Sequence, residues 1–222
     1  MGKTRQKNIY EALLRFFLSK QAEKPSRIFH PELDVYQTAK NESELRKAAV
    51  LLPITRPEDG SGSHLVLTVR SENLKSHAGQ ISLPGGTQEE QDEDSIATAL
   101  RESEEEIGLA SNHVEVIGRL GDLVLPSGFL ITPIVGIINK NLNFVAQPQE
   151  VADIFQAPLE LILDVTAYQK FTVPFEGKDR TVLEIHFEDY RIWGATAAIL
   201  FHLANEIKNY ENYLTLHIHF ES

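Results

Sequence analysis

The sequence predicts an α/β fold in which a mixed sheet is packed between helices. Apolar runs typical of strands occupy residues 48–54 and 64–70, on either side of a turn-rich segment. Apolar residues recur at helical spacing over residues 7–22, 94–107 and 195–210. With 222 residues, of which 42% are hydrophobic, the chain is long enough to bury a core as one domain with an appendage.

The first predicted helix, residues 7–22, carries an apolar stripe formed by Ile9, Leu13, Phe16 and Phe17. Core packing is the expected role of this stripe, and contact with a second copy in a homodimer is the alternative. Asn41 can cap a short helix that ends at Lys47. We therefore expect residues 1–45 to form a helical extension packed on a domain that spans residues 46–222.

Turn residues at 56–63 predict a hairpin between the strands at 48–54 and 64–70. Beyond the central helix, patterning predicts these elements in order: strands at 113–125 and 129–139, a short helix at 158–164, a hairpin of 167–175 with 180–187, the helix at 195–210 and a late strand at 213–220.

Composition excludes several classes of function. The net charge of −11 argues against a general binder of nucleic acid or of membrane surfaces. No apolar run approaches the ~20 residues that span a bilayer, and the N-terminus does not resemble a signal peptide. The absence of cysteine removes disulfides, thiol nucleophiles and thiolate metal sites, which predicts a cytoplasmic protein.

The central helix has an unusual distribution of charge. Asp92 or Asp94 can cap its start, and Gly108 is placed for a left-handed C-terminal cap. Successive residues are separated by ~100° around a helix, so one stripe faces the core and a second arc collects carboxylates. The core stripe consists of Ile96, Leu100, Ser103 and Ile107, and the acidic arc consists of Glu102, Glu105 and Glu106.

Like charges at these spacings repel each other, and the last helical turn also disfavours anions. One interpretation is a solvated acidic face. The alternative is a site for hard divalent cations, because such ions take oxygen ligands and convert the repulsion into binding energy.

The spacing around this helix resembles the Nudix box, written G-x5-E-x7-R-E-U-x-E-E-x-G-U with U a bulky aliphatic residue. Ten or so constrained positions in one window make this a specific match. Two departures are present: six residues separate Gly86 from Glu93, and Ser103 replaces an aliphatic residue. The matching residues are Gly86, Glu93, Arg101, Glu102, Glu105, Glu106, Gly108 and Leu109.

A second motif precedes the box and looks like the signature of the coenzyme A diphosphatase branch, L-L-T-x-R-[SA]-x3-R-x3-G-x3-F-P-G-G. The chain matches it from Leu67 to Gly86, with Lys75 in place of arginine and Leu83 in place of phenylalanine. Lysine cannot form the bidentate contact that arginine makes with phosphate. With further matches downstream, the resemblance runs from about residue 48 to residue 205.

The resemblance implies a Nudix-type α/β/α sandwich that hydrolyses the pyrophosphate bond of coenzyme A or its derivatives to 3′,5′-ADP and 4′-phosphopantetheine. It implies that Mg²⁺ or Mn²⁺ is held by Glu102, Glu105 and Glu106 with the Gly86 carbonyl. Glu93 and Arg101 are expected to orient these glutamates. Arg70, Lys75 and His77 are the expected substrate-binding residues.

Several alternatives stay open at this stage. Glu105, Glu150 or another loop residue could take the proton of the attacking water. Arg70 could form a structural salt bridge to a box glutamate, Lys75 could be a solvated loop residue, and Trp193 is expected in the core rather than under a nucleobase. The substrate could instead be ADP-ribose or a dinucleotide, and a non-catalytic nucleotide-sensing module is a further alternative.

Overall fold

The computed structural model describes residues 2–20, 25, 27–28, 42–58, 61–74, 76–175 and 178–218. The helices in these ranges are α1 (Gly2–Lys20), α2 (Ser95–Ile107), α3 (Leu159–Ile162) and α4 (Gly194–Ile218). The strands are β1 (Arg46–Thr55), β2 (His64–Arg70), β3 (Ile81–Ser82), β4 (Gly85–Thr87), β5 (Val114–Arg119), β6 (Leu123–Val124), β7 (Phe129–Ile138), β8 (Val151–Pro158), β9 (Gln169–Phe175), β10 (Lys178–Phe187) and β11 (Tyr190–Trp193).

The main sheet is mixed, as predicted. Its strand order is β3-β2-β1-β7-β5, and β4, β6 and β8 pair with β1, β7 and β2 respectively. Strands β1 and β7 are parallel over ten residue pairs, from Arg46 with Phe129 to Thr55 with Ile138. The remaining pairs are antiparallel, and β9, β10 and β11 form a separate antiparallel sheet.

Both faces of the main sheet are buried, as two neighbouring residues of β1 show. Successive side chains of a strand point to opposite faces of the sheet. Leu52 belongs to the larger hydrophobic cluster, which joins α1, α4 and the small sheet. Its neighbour Leu51 belongs to a second cluster, which lies under α2. The sheet is therefore covered by helices on both sides, which confirms the predicted α/β/α arrangement.

Helix α1 contributes directly to the larger cluster through Tyr10, Leu13, Phe16 and Phe17. Phe17 lies over β5, where a Cβ added to Gly118 would come within 2.5 Å of the phenyl ring. Strand β5 also changes its register against β7 between Val116 and Gly118. The glycine and the irregular strand together make room for an aromatic ring from the N-terminal helix.

We expect Phe17→Ala to lower the free energy of unfolding by about 3–5 kcal/mol, because it leaves a cavity over Gly118. Its sequence neighbour Leu18 is 69% exposed, so Leu18→Ala should change that free energy by no more than about 0.5 kcal/mol. Urea denaturation of both variants measures the difference. Equal effects of the two substitutions would contradict the packing of α1 described above.

Some predicted elements need correction. The helix expected at 41–47 is one 3-10 turn at Glu42–Glu44, because β1 already begins at Arg46. That first strand residue donates its backbone N–H to Gly128 O at 2.9 Å, and its guanidinium lies 3.9 Å from the Phe129 ring centroid. The strand expected at 113–125 is divided into β5 and β6.

Two larger errors concern β8 and α4. Strand β8 was not predicted from its sequence, and it forms by pairing along β2, from His64 with Pro158 to Arg70 with Val151. The late strand predicted at 213–220 is wrong where it is described, because α4 continues to Ile218. A helix that has already formed gains a backbone hydrogen bond with each added residue, so it extends through a segment whose pattern alternates. No helix in the described ranges has the length and apolar character needed to span a membrane.

Candidate active site

Helix α2 begins and ends at the predicted residues. The Asp94 side chain accepts the Ala97 N–H at 2.8 Å, which caps the N-terminus. Gly108 adopts the left-handed conformation, with φ of 68°, and closes the C-terminus. Ser103 is buried and donates its hydroxyl to Ala99 O at 2.7 Å, so its polar group is satisfied where the box usually has an aliphatic residue.

The diglycine bend and α2 approach each other closely. Gly85 donates its N–H to Glu106 Oε2 at 3.0 Å. At Gly86, an added Cβ would come within 2.5–2.6 Å of both oxygens of the Glu102 carboxylate. Gly85 has φ of 151°, and its own added Cβ would lie 2.3 Å from Ala49 O. Both glycines are thus needed to bring the backbone of β4 against two carboxylates.

The Glu102 and Glu106 carboxylates are destabilised as anions when no cation is present. The pKa of Glu106 is raised to about 7, mainly by burial and also by the charges of Glu102 and Glu150, while the Gly85 N–H and the Arg70 charge oppose the rise. Burial also raises the pKa of Glu102, which Arg101 partly offsets. A bound divalent cation would reverse this penalty for both groups.

Glu105 does not join this pair. Its side chain is 62% exposed and its Oε2 lies 3.4 Å from Arg101 Nη1. Around the helix, Glu106 and Glu105 lie ~40° and ~60° from Glu102 in opposite directions, and Glu106 is the one that faces the bend with it here. Glu105 instead faces a groove of about 380 Å³ lined by Ala97, Leu100, Arg101, Glu104, Glu105 and Ser111.

The three glutamates predicted as metal ligands therefore do not converge on one point here, because Glu102 and Glu106 face the bend and Glu105 contacts Arg101. Their assignment as metal ligands stays a prediction. Within the described ranges, no three acidic or histidine side chains surround a single metal-sized space.

Arg101 is anchored by Asp92, which replaces Glu93 in the predicted orienting role. Arg101 donates from Nε to Asp92 Oδ1 at 2.9 Å and from Nη2 to Asp92 Oδ2 at 3.0 Å, while Glu93 is exposed. The same guanidinium contacts Glu102 Oε1 at 2.9 Å and Thr87 O at 3.1 Å. Five residues separate Gly86 from Asp92, which is the spacing that the box places between its glycine and its first glutamate. Counting this spacing from the glycine therefore identifies Asp92, whereas counting back from Arg101 identifies Glu93.

Asp92 is nearly fully buried, and its hydrogen bonds from Arg101 lower its pKa to about 2. Asp92→Asn should therefore reduce the free energy of unfolding by about 3 kcal/mol at pH 7, since it removes the buried carboxylate that accepts two hydrogen bonds from Arg101. A carboxyl group whose pKa is lowered by folding stabilises the folded state at pH values above its ordinary pKa near 4. This contribution is lost as the pH falls towards 2. The difference between variant and wild type should accordingly shrink below about pH 4, as measured by chemical denaturation across pH.

Glu93→Gln is the matched control for this experiment, because it alters the adjacent carboxylate. Its expected effect is within about 0.5 kcal/mol at every pH. A larger loss from Glu93→Gln than from Asp92→Asn would restore the role first assigned to Glu93.

Arg70 ends β2 beside the acidic pair, where its charge lowers the pKa of Glu106. Its Nε is buried and has no hydrogen-bond partner among the described residues. Among the described residues, Arg70 forms no ion pair with a box glutamate, so the alternative of a structural salt bridge is not supported. An unpaired buried donor at this position favours an anionic ligand.

The other two predicted substrate-binding residues belong to the loop that follows Arg70. Lys75 lies outside the described residues. His77 is exposed, has a positive φ of 59°, and its Nδ1 lies 2.9 Å from Gln80 Oε1. The loop closes where Gly79 donates its N–H to Arg70 O at 3.1 Å. Its histidine therefore interacts within the loop rather than with the carboxylates of α2.

Trp193 was expected in the core, and it is partly buried in the small sheet. Its ring packs edge-on against Phe171 with centroids 5.9 Å apart, and the Arg191 guanidinium lies 5.6 Å from its centroid. These contacts account for Trp193 as a structural residue.

The fold and this arrangement of carboxylates define a class of protein, and comparison with known proteins identifies it. Residues 45–133 match the NUDIX domain family. The uncharacterized Nudix hydrolase NudL of Yersinia pestis (strain Pestoides F) is 41% identical over 163 residues, which cover 73% of this chain and 80% of that relative. The chain belongs to the Nudix hydrolase family and is a pyrophosphohydrolase.

Solved structures of the same family are more distant in sequence. A MutT/nudix family protein from Enterococcus faecalis is 12% identical with a TM-score of 0.48, covering 80% of this chain and 67% of that protein. The Nudix hydrolase RenU of M. smegmatis is 20% identical with a TM-score of 0.45, covering 54% and 74% respectively.

Proposed function

We propose that this enzyme is a metal-dependent coenzyme A diphosphatase, which splits coenzyme A or its derivatives into 3′,5′-ADP and 4′-phosphopantetheine. The observation that carries the proposal is the Arg70 guanidinium, whose buried Nε is unpaired beside Glu106. Arg70 belongs to the motif that precedes the diglycine bend, which resembles the coenzyme A diphosphatase signature. Its position supports a role in binding the phosphates next to the carboxylates.

The residues present fit Mg²⁺ or Mn²⁺. Glu102 and Glu106 supply carboxylate oxygens at a bend where a Cβ on Gly86 would fill the space, and the Gly86 carbonyl is a further oxygen ligand. Glu105 would join them only through a change of rotamer that releases Arg101. When bound, the cation neutralises charge on the pyrophosphate and lowers the pKa of water.

The chain's own residues then have separable tasks. Arg70 binds a phosphate oxygen and orients the pyrophosphate. Arg101 holds Glu102 in place while Asp92 holds Arg101. The hydrogen bond from Gly85 fixes one oxygen of Glu106, which leaves the other oxygen of that carboxylate for a ligand.

A substrate panel with Mn²⁺ tests the proposal. We expect higher kcat/KM for coenzyme A or one of its thioesters than for ADP-ribose or diadenosine polyphosphates. Faster turnover of ADP-ribose would replace the coenzyme A assignment with the second candidate, while the pyrophosphohydrolase class would stand. The intact Glu102 and Glu106 pair argues against a non-catalytic nucleotide sensor, and the cytoplasmic location and the homodimer remain predictions from the sequence.

A further inference from the structure

The segment before β8, residues 147–150, is joined by main-chain hydrogen bonds to α2 and to the end of β2. Gln147 donates its N–H to Glu106 O at 2.9 Å, which joins the segment to the end of α2. Ser71 donates its N–H to Glu150 O at 2.8 Å, and the next residue, Val151, pairs with Arg70. Residue 150 is therefore held between the end of α2 and the end of β2.

The Glu150 side chain is exposed, yet it is close enough to the acidic pair to act on it. Its negative charge raises the pKa of both Glu102 and Glu106. Glu105 also raises the pKa of Glu102, but its carboxylate lies 3.4 Å from Arg101 Nη1. Of these two candidates for proton transfer, Glu150 is the one whose backbone lies beside Arg70, through the hydrogen bond to Ser71 and the pairing of Val151.

We propose that Glu150 accepts the proton of the attacking water during pyrophosphate hydrolysis. The water oxygen forms a bond to phosphorus, and one of its protons passes to the Glu150 carboxylate. The bond between that phosphorus and the bridging oxygen breaks, and the bridging oxygen leaves with the electron pair as a phosphate. Glu150 then returns its proton to solvent.

The other carboxylates near the bend are less suited to this step. A general base needs a carboxylate that can reach water and the reacting phosphorus together. Glu106 is buried and accepts the Gly85 N–H, and Glu102 is held by Arg101. Glu105 is engaged by the same arginine and faces the outer groove. Glu150 combines solvent access with a fixed backbone beside Arg70.

This proposal rests on the pyrophosphohydrolase class and is independent of the coenzyme A assignment. The test therefore uses whichever panel substrate the wild type hydrolyses fastest. Glu150→Gln should lower kcat by about 100-fold or more, with KM changed by less than about 3-fold. Its Mn²⁺ uptake, measured by calorimetry, and its melting temperature should match those of the wild type, because Glu150 is neither a metal ligand nor a packing residue.

Asp153→Asn is the matched control, since Asp153 is an exposed carboxylate three residues further along. It accepts the Tyr190 hydroxyl at 2.7 Å, on the face of the sheet opposite Arg70, so kcat should stay within about 2-fold.

A kcat for Glu150→Gln within 3-fold of the wild type would overturn the proposal. A parallel loss of Mn²⁺ uptake would also overturn it, because Glu150 would then be a metal ligand. If Glu150→Gln does not fold, Glu150→Asp gives the same decision: a kcat about 10-fold lower with normal Mn²⁺ uptake supports proton transfer, and an unchanged kcat rejects it.

Discussion

Glu106→Gln is expected to lower kcat by about 1,000-fold or more while making the metal-free protein more stable. The substitution removes a charged oxygen ligand from the proposed metal site, and a loss of this kind exceeds what a lost neutral hydrogen bond costs. The amide oxygen of glutamine can still accept the Gly85 N–H, so the fold is retained. Steady-state hydrolysis with saturating Mn²⁺ measures the first effect.

The stability effect follows from the raised pKa of Glu106, near 7. A carboxyl group whose pKa is raised by folding favours the folded state fully below its ordinary value near 4.5, and that contribution is lost as the pH rises through 7. Without metal, the ionised group then costs about 3 kcal/mol at pH 8. Urea denaturation in EDTA should show Glu106→Gln to be more stable than the wild type at pH 8 and similar to it at pH 4.

Glu104→Gln supplies the control, since it removes an exposed carboxylate from the same helix. We expect wild-type activity within about 2-fold and a change of stability within about 0.5 kcal/mol at both pH values. A Glu106→Gln enzyme with full hydrolytic activity would rule out a metal site at this residue. A variant that is inactive and also less stable at pH 8 would show that Glu106 acts in folding.

Arg70→Ala should lower kcat/KM by about 1,000-fold, the second large effect expected. The guanidinium has a buried donor available for phosphate, and a preorganised charged donor of this kind contributes most as charge develops in the transition state. Arg70→Lys keeps the charge but loses the Nε donor and the fork geometry, so about 10–100-fold should be lost. Kinetics with the fastest substrate, at saturating Mn²⁺, measures both variants.

Arg15→Ala is the matched control for charge, because Arg15 pairs with Glu211 between α1 and α4. It should leave kcat/KM within about 2-fold of the wild type. Unchanged kcat/KM in Arg70→Ala would show that Arg70 does not bind the substrate phosphates, and the coenzyme A assignment would lose its main support. Equal activity of the lysine variant and the wild type would show that only a point charge is needed there.

The local sequence pattern was sufficient to predict the central helix α2 and its capping residues. Asp94, Gly108 and the buried Ile107 lie where apolar spacing and capping residues put them. These features depend on residues within one or two turns of each other, which the sequence records directly.

The pairing of strands distant in sequence, and the full length of α4, could not be predicted from the sequence in the same way. Strand β8 exists because β2 offers it a partner, and α4 extends past residue 212 because a packed helix elongates easily. Neither cause is visible within the segment itself. Glu150 is positioned by the pairing of Val151 with Arg70 and by the hydrogen bond from Gln147 to the end of α2, and both contacts join segments distant in sequence.

The geometry of the site also depended on contacts between side chains that the motif spacing does not specify. The box spacing put three glutamates on one arc of α2, but only Glu102 and Glu106 contact the bend at Gly85 and Gly86, while Glu105 contacts Arg101. The Arg101 guanidinium selects Asp92 over Glu93 because Asp92 is the buried one of the two. Counting the box spacing from Gly86 gives Asp92 and counting it from Arg101 gives Glu93, so the motif alone does not decide between them.

Calorimetric titration of Mn²⁺ at pH 6, with 3′,5′-ADP present and in two buffers of different ionisation enthalpy, tests the central claim most directly. Glu106 is mostly protonated at that pH, so cation binding to the Glu102–Glu106 pair should release close to one proton more per protein in the wild type than in Glu106→Gln. The comparison removes the protons released by Glu102 and by the nucleotide phosphates, whose second pKa is about 6. Equal proton release by the two proteins, or no Mn²⁺ uptake by the wild type, would contradict a metal site at the diglycine bend.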